Sequence, residues 1–269
     1  MTYKKLFITQ PQIRGTLLIA SAAILITALS GCVSPSAGAT SSAETRRDMP
    51  NIMWIGDSIV ENEAPALDAA LTAAGAHFID QSEVGGGTVV DSGGIMSEIT
   101  QDVWHTLSGA IKKTKPDTIV YQITTYDWGT PEQQKAGYQR LADETASAGA
   151  DLVIVSMPPI VIDDFYAPHV AEMATASDSA RSVAEGSEGK VTFLDASSLW
   201  GTDGAAKRAQ RGADGIHACQ QASASFAAWF MTEFAKVSNL EPAAPKTWAI
   251  GKWTSAETYA KFDCPTAGK

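Results

Sequence analysis

The chain has 269 residues, a net charge of −10 at pH 7 and a hydrophobic content of 45%. A chain this acidic lacks the basic patches that nucleic acid requires, so we predict no nucleic-acid partner. The same charge argues against electrostatic attraction to anionic lipid head groups. Residues 50–269 are long enough to bury a sizeable core, so we predict one folded domain there, with a C-terminal tail at 240–269.

Residues 1–31 have the pattern of a bacterial export signal. A basic region with Lys4 and Lys5 precedes an apolar run from Thr16 to Leu29. The run is shorter than the roughly 20 residues that a membrane span needs, which favours a signal segment. It ends in Leu-Ser-Gly-Cys32. This end resembles the bacterial lipobox, which implies lipidation of Cys32 and anchoring on the extracytoplasmic face of the cell membrane. The alternatives are ordinary cleavage nearby and an uncleaved anchor.

Residues 32–49 are predicted to form a flexible tether, because Ser, Ala, Gly and Thr dominate them. Beyond Cys32 the chain has two cysteines, Cys219 and Cys264. In an exported protein an even pair predicts a disulfide, which would fasten the tail to the beginning of the last core helix; the alternative is two free thiols. Neither cysteine has a neighbour at zinc-ligand spacing, so we predict no zinc site and expect no metal.

The domain alternates short apolar runs with helical patterns. The apolar runs predict five buried strands, at residues 51–55, 76–80, 118–123, 152–156 and 191–195. The helical patterns predict helices at residues 65–74, 94–113, 131–147, 167–184 and 220–237. This alternation is typical of an α/β fold, and it predicts a three-layer α/β/α sandwich around a five-stranded parallel sheet. Sites in such folds form beyond the carboxyl ends of the strands.

Two polar motifs are expected at that rim of the sheet. Gly56-Asp57-Ser58 directly follows the first strand, where a strand-to-helix turn exposes a side chain, and Asp214-Gly-Ile-His217 precedes the last core helix. An Asp three residues before a His can orient the ring, whose other nitrogen can then take a proton from a serine. Alone, the first motif is typical of an ordinary turn and the second of a surface histidine. Their joint position favours a catalytic triad.

Together the two motifs resemble the first and last blocks of the SGNH/GDSL hydrolases, over about residues 50–238. The resemblance implies the flavodoxin-like SGNH hydrolase fold and a serine esterase without a cofactor. In that reading Ser58 is the nucleophile, His217 is the general base and Asp214 orients the imidazole.

The family's second block provides a glycine whose N–H joins that of the nucleophile in an oxyanion hole. The matching glycine here is Gly86, with Gly87 the alternative, in the glycine-rich loop after the second predicted strand. The resemblance therefore implies an oxyanion hole built from the N–H groups of Ser58 and Gly86. A plain flexible turn is the other interpretation of this loop.

The third block departs from the family. It normally reads Gly-x-Asn-Asp after the third strand, and its Asn is a further oxyanion donor. Here Tyr126 stands in the Asn position, followed by Asp127 and Trp128. Rim packing is the alternative role for the two aromatic residues. Contact with the substrate is predicted for five residues: Asp57, Gly87, Tyr126, Asp127 and Trp128.

Members of the family act on acyl esters of sugars, lipids and cell-wall polymers. We therefore expect an acylated, in particular O-acetylated, cell-envelope glycan or glycolipid as the substrate. Similar domains are attached to membrane acyltransferases, so transfer of the acyl group from Ser58 to a sugar hydroxyl is one alternative. A catalytically silent domain that binds envelope glycan is another, because the block-three Asn is missing.

Overall fold

A five-stranded parallel sheet organises the molecule in a computed structural model, which describes residues 49–82, 87–262 and 264. The strands are β1 (Asn51–Gly56), β2 (His77–Ser82), β3 (Thr118–Gln122), β4 (Asp151–Val155) and β5 (Val191–Leu194). Their order in the sheet is β2-β1-β3-β4-β5. The chain therefore moves from β1 to one side and then crosses to the other side of β1, which leaves a topological switch point between β1 and β3.

Helices cover both faces of this sheet, as the sequence predicted. They are α1 (Ser58–Ala73), α2 (Ile95–Thr114), α3 (Pro131–Ser147), α4 (Val170–Gly186), α5 (Ser197–Trp200), α6 (Gln220–Phe234) and α7 (Glu257–Lys261). Alternate residues of β1 belong to opposite cores: Ile52 and Trp54 pack with α1 and α6, whereas Met53 and Ile55 pack with α2, α3 and α4. The period of two in a strand thus produces the predicted three layers.

The strand predictions differ from the structure in detail at the edge of the sheet. β1, β3 and β4 are almost fully buried, as expected for a sheet covered on both faces. β2 is an edge strand, and its side chains are exposed or half-buried. The prediction of five equally buried strands was wrong for β2, because an apolar run does not indicate on how many sides a strand has neighbours.

The start of α1 also differs from its prediction. The helix was expected to begin at Pro65, but it begins at Ser58 and carries Pro65 in its interior. The Asp57 side chain caps it by accepting a hydrogen bond from the N–H of Ile59 at 3.0 Å. An Asp at the N-cap is a strong start signal, whereas proline at the first turn is only one of the positions that a helix tolerates. The helix therefore starts directly at the predicted nucleophile.

The tail after α6 packs back on the domain. Trp248 and Tyr259 are buried, with 4% and 2% of their surface exposed. The predicted disulfide between Cys219 and Cys264 is present. It joins the residue before α6 to the segment after α7, and the closed loop is of a length for which a disulfide contributes about 2–4 kcal/mol of stability.

The predicted signal at 1–31 and the lipidation site Cys32 lie outside the described residues, and so does nearly all of the tether at 32–49. Among residues 49–82, 87–262 and 264, no helix is long and apolar enough to cross a membrane. In the same ranges no three His, Cys, Asp or Glu side chains come together as a metal site would require.

Candidate active site

Ser58 stands at the rim of the sheet beside the switch point. It is the first residue of α1. Asp57, whose backbone is extended, is the one residue between the end of β1 and this helix. The amide groups of a first helical turn have no preceding helical carbonyl to bond, and the helix dipole places partial positive charge there. The local structure therefore presents a serine hydroxyl at the amide end of a helix.

A continuous chain of hydrogen bonds joins Ser58, His217 and Asp214. His217 Nε2 lies 2.8 Å from Ser58 Oγ, and its Nδ1 lies 2.6 Å from Asp214 Oδ2. The histidine is 8% exposed, and the serine is half-buried. The structure thus brings together the three side chains that the sequence singled out, although they come from opposite ends of the domain. Their catalytic roles stay a prediction at this point.

The loop that carries Asp214 fixes its carboxylate. Asp214 Oδ1 accepts hydrogen bonds from the N–H groups of Ile216 and His217, both at 3.0 Å. Partial burial raises the pKa of Asp214, but the bonds from the His217 ring and from the two N–H groups outweigh burial, and the pKa falls below its ordinary value. Asp214 is therefore ionised at neutral pH and can accept a hydrogen bond from the Nδ1–H of His217.

A glycine lets this loop approach its neighbour. Gly215 has φ of +73°, and a Cβ on it would lie 2.7 Å from the Cβ of Val161. The carbonyl of Gly215 also accepts a hydrogen bond from the N–H of Val161 at 2.8 Å. The position needs both a left-handed backbone and the absence of a side chain, so glycine is required there. The β4–α4 connection is thereby held against the Asp214–His217 loop.

Asp57 lies beneath Ser58 and does not face the site. It is 2% exposed, and its Oδ2 accepts hydrogen bonds from the N–H and the hydroxyl of Thr125, at 2.9 and 2.8 Å. Its Oδ1 caps α1. Burial raises the pKa of Asp57, against the opposing effect of the bonds from Thr125. The predicted substrate contact of Asp57 is corrected, because both oxygens are occupied by protein donors.

Asp127 is likewise a support within the fold. It is completely buried; Oδ1 accepts hydrogen bonds from the hydroxyls of Thr88, Tyr121 and Thr124, and Oδ2 accepts one from Tyr138, all between 2.6 and 2.8 Å. Burial raises its pKa, although the four hydroxyls lower it. The predicted substrate contact is corrected here too. Asp127 ties the turn after β3 to the loop after β2, and so fixes both sides of the rim.

The two glycines of the second block have different outcomes. Gly86, the predicted oxyanion donor, lies outside the described residues. Gly87 is described: it is buried and has φ of +98°, a conformation that favours glycine. The next residue, Thr88, bonds Asp127 at 2.8 Å, which holds this segment beside the turn after β3. Substrate contact by Gly87 stays a prediction.

Tyr126 and Trp128 belong to a group of rings that we call the aromatic wall: Tyr126, Trp128, Phe165, Tyr166 and His169. Trp128 stacks on the His169 ring with centroids 3.6 Å apart, and Tyr126 lies 5.4 Å from Trp128. Phe165 and Tyr166 meet edge to face at 4.9 Å. Trp128 is 9% exposed and Phe165 is 54% exposed. The wall thus combines packed rings with one ring open to solvent.

Three rings of the aromatic wall share an apolar cluster with the sequence neighbours of Ser58 and His217. Ile59 follows Ser58, Ile216 precedes His217, and both belong to the same apolar cluster as Tyr126, Trp128 and Tyr166. The Tyr166 hydroxyl also donates a hydrogen bond to the Thr125 hydroxyl at 3.3 Å. These rings therefore pack with the sequence neighbours of Ser58 and His217, and a site-lining role for Tyr126 and Trp128 stays a prediction. Contact with a substrate stays a prediction.

A buried carboxyl group on α1 lies near the side chain of Arg211. Glu63 on α1 is fully buried, and neither of its carboxylate oxygens has a hydrogen-bond partner among the described residues. Burial raises its pKa to about 8, although the nearby charge of Arg211 lowers it. Arg211 donates to the carbonyl of Ile216 at 3.1 Å and lies 4.6 Å from the centroid of Trp200. Arg211 thus supports the loop that carries His217.

Sequence reasoning missed one neighbour of the imidazole. The ring of Phe262, in the tail, stacks on His217 with centroids 3.6 Å apart and an interplanar angle of 15°. The cysteine spacing placed the tail near the start of α6, and Phe262 lies only two residues before Cys264. That proximity was the available signal, but nothing in the local pattern indicated which ring would meet His217.

Three solved structures illustrate the similarity of this fold to known enzymes. A lipase/acylhydrolase from Enterococcus faecalis is 16% identical with a TM-score of 0.52, covering 73% of this chain and 100% of that one. A protein assigned as a GDSL-like lipase from Parabacteroides merdae is 18% identical, with a TM-score of 0.50 and coverage of 70% and 96%. A catalytic mutant of Axe2, an acetylxylan esterase from Geobacillus stearothermophilus, is 16% identical, with a TM-score of 0.50 and coverage of 68% and 93%.

These similarities establish the architecture of the chain. No protein-family model matches the sequence, and no curated protein matches it. The chain has the α/β fold of the SGNH/GDSL-like hydrolases, with a five-stranded parallel sheet between helical layers, and this confirms the predicted fold class. At such low identities the shared property is the fold itself.

Proposed function

We propose that this protein is an SGNH-type serine esterase with the catalytic triad Ser58, His217 and Asp214. The observation that carries the proposal is the unbroken hydrogen-bond chain from Asp214 through His217 to Ser58 Oγ, with separations of 2.6 and 2.8 Å. A serine hydroxyl is inert without a base in contact, and the base needs a partner that selects its tautomer. Both requirements are met, at the rim where this fold forms its sites.

The proposed reaction follows from this geometry in two stages. Ser58 Oγ attacks the ester carbonyl while His217 Nε2 takes the hydroxyl proton, and the N–H of Ser58 stabilises the oxyanion. His217 then gives its proton to the leaving alcohol. Water repeats the sequence on the acyl-enzyme: His217 takes a proton from water, the carboxylic acid leaves, and Ser58 recovers its proton.

We further propose an O-acetylated cell-envelope glycan or glycolipid as the substrate. The aromatic wall is an argument for a substrate whose alcohol part is a sugar, because rings with an open face bind surfaces that are partly apolar and partly polar. Phe165, which contacts Tyr126 and Trp128, provides such a face, with 54% of its surface exposed. One protein of similar fold is named an acetylxylan esterase. Lipid anchoring through Cys32 on the extracytoplasmic face completes the proposal.

The oxyanion hole of the proposed enzyme differs from that of the family it resembles. Tyr126 replaces the Asn of the third block and is packed within the aromatic wall, 6.5 Å between centroids from Tyr166. The proposed donors are therefore the N–H groups of Ser58 and Gly86. Loss of one donor typically lowers the rate about 10²- to 10³-fold, so we expect a slow esterase on simple esters.

Hydrolysis of p-nitrophenyl acetate and release of acetate from acetylated xylooligosaccharide test the proposal. We expect both activities in the purified protein, and neither in Ser58→Ala or His217→Ala. A Ser198→Ala variant is the matched control, because Ser198 is an exposed serine on α5. Acetyl transfer to an added glycan that exceeds hydrolysis would change the assignment to an acyltransferase. Glycan binding without any turnover would favour the silent binding domain.

A further inference from the structure

The C-terminal tail supplies one face of the environment of His217. The Phe262 ring lies almost parallel to the imidazole, at 3.6 Å between centroids. His217 makes its two ring hydrogen bonds, to Ser58 and Asp214, in the plane of the imidazole. Phe262 therefore contacts the ring through its face, where it blocks neither nitrogen.

Three attachments hold Phe262 in this position. The disulfide joins Cys264 to Cys219, which lies two residues after His217. The N–H of Cys264 donates to the carbonyl of Tyr259 at 3.0 Å, and Tyr259 is buried. On the other side of Phe262, Lys261 Nζ lies 2.9 Å from a carboxylate oxygen of Glu61 on α1. The covalent attachment is thus next to the histidine, and the salt bridge is next to the serine.

We propose that Phe262 is a positioning residue for His217 and that the Cys219–Cys264 disulfide holds it in place. The inference rests on the proposed esterase function. When Ser58 Oγ bonds to the acyl carbon, its proton moves to Nε2 and the imidazole becomes a cation. The face of an aromatic ring attracts a cation. A ring stacked on the imidazole also limits its rotation away from the Ser58 hydroxyl and keeps water from that face.

Reduction of the disulfide has a defined consequence under this proposal. Without the bond to Cys219, the covalent attachment next to Phe262 is lost. The pair of Lys261 with Glu61 remains, but a pair with an exposed partner contributes little. Phe262 then leaves the imidazole, although Ser58, His217 and Asp214 are unchanged. The activity of the enzyme becomes dependent on an oxidising environment.

The test compares Phe262→Ala, Phe262→Leu and Phe262→Tyr with the wild type. We expect Phe262→Ala to lower both kcat and the rate of fluorophosphonate labelling of Ser58 roughly tenfold, with KM little changed. Phe262→Tyr should restore the rates, because it keeps the ring, whereas Phe262→Leu should not. Lys252→Ala is the control, because Lys252 is an exposed residue of the tail and is not among the three attachments of Phe262.

A second pair of variants distinguishes the effect of the Phe262 ring on the reaction rate from an effect on the stability of the fold. Replacing both Cys219 and Cys264 with alanine should lower the labelling rate by about the same factor as Phe262→Ala, and the triple variant should show no further loss. Circular dichroism and thermal unfolding establish that each variant is folded at the assay temperature. A kcat that falls in proportion to the folded fraction would indicate a purely structural role and contradict the proposal.

The outcomes also distinguish this inference from the proposed function. A wild type that reacts, with a Phe262→Ala variant that reacts equally fast, overturns the role of Phe262 and leaves the esterase intact. Full rescue by Phe262→Leu shows that apolar volume suffices and also overturns it. A folded wild type that neither hydrolyses esters nor labels overturns the esterase and the inference together.

Discussion

The carboxylate of Asp57 accepts two hydrogen bonds from Thr125, one from its N–H at 2.9 Å and one from its hydroxyl at 2.8 Å. Asp57 follows β1 and Thr125 follows β3, so these bonds join the two strand ends that flank the switch point. The same carboxylate caps α1 by accepting a hydrogen bond from the N–H of Ile59, the residue after Ser58. The position of the proposed nucleophile therefore depends on a buried carboxylate that itself has no access to a substrate.

We expect Asp57→Asn to lower both stability and activity. The amide nitrogen of Asn cannot accept a hydrogen bond, so at least one donor, either on Ile59 or on Thr125, loses its buried partner. Such a loss costs about 1–3 kcal/mol. Urea unfolding measures it, with Asp143→Asn on the exposed face of α3 as the control. An unchanged free energy of unfolding would show that these bonds do not hold the turn.

A second prediction concerns the partner of the imidazole. Asp214→Asn should lower kcat by roughly 10⁴, because the amide no longer selects the tautomer in which Nε2 can take the serine proton. The side chain of Asp214 is 33% exposed, so the fold should tolerate the change. Steady-state kinetics with p-nitrophenyl acetate measures the effect. A loss below tenfold would show that His217 does not depend on this carboxylate.

Stability should fall with rising pH because of Glu63. Its pKa is about 8 in the folded chain, against an ordinary value of 4.5. Below pH 4.5 the group is protonated in both states; between pH 4.5 and 8 only the unfolded chain loses the proton. The titration of Glu63 therefore lowers the free energy of unfolding by about 1.4 kcal/mol per pH unit across this window. Other titrating groups add their own contributions.

Glu63→Gln removes this titration. We compare the free energy of unfolding of the variant with that of the wild type at each pH. We expect this difference to be more favourable to the variant at pH 8 than at pH 4.5, by on the order of a few kcal/mol. Urea unfolding at both pH values measures the difference, with the exposed Glu98→Gln as the control. Equal effects of Glu63→Gln at the two pH values would contradict the raised pKa.

We expect the aromatic wall to contribute to the binding of sugar esters and not to the binding of small esters. Phe165→Ala removes the ring that is 54% exposed, so we expect stability to change by no more than about 0.5 kcal/mol. KM for an acetylated oligosaccharide should rise several-fold, while KM for p-nitrophenyl acetate stays the same. Val237→Ala, with a comparably exposed side chain just after α6, is the control. Equal effects on both esters would argue against a sugar-binding wall.

The features that the sequence predicted well depend on local patterns. Apolar runs located β3 and β4, and the helical pattern that begins at Pro131 located α3 at 131–147. The spacing of Asp214 and His217 was sufficient to predict their contact, because only two residues of one loop separate them. The two motifs follow the first strand and precede the last core helix, and their resemblance to the family's first and last blocks then placed Ser58 beside His217.

The features that the sequence did not predict depend on distant contacts. Asp127 meets hydroxyls from Thr88, Tyr121 and Tyr138, and no local pattern indicates that a carboxylate will be buried among them. For the same reason Asp57 and Asp127 were expected to contact substrate. Phe262 meets His217 only after the tail has returned to the domain, and its route is set by packing around Tyr259 and by the disulfide.

The most direct measurement is covalent labelling of the wild type and Ser58→Ala with a fluorophosphonate, followed by intact mass and by mapping of the labelled peptide. A serine activated by His217 reacts with one equivalent of the reagent, whereas the other serines do not. We predict a single adduct on Ser58 in the wild type and none in the Ser58→Ala variant. A folded wild type without an adduct, or an equal adduct in both proteins, would contradict the proposed triad.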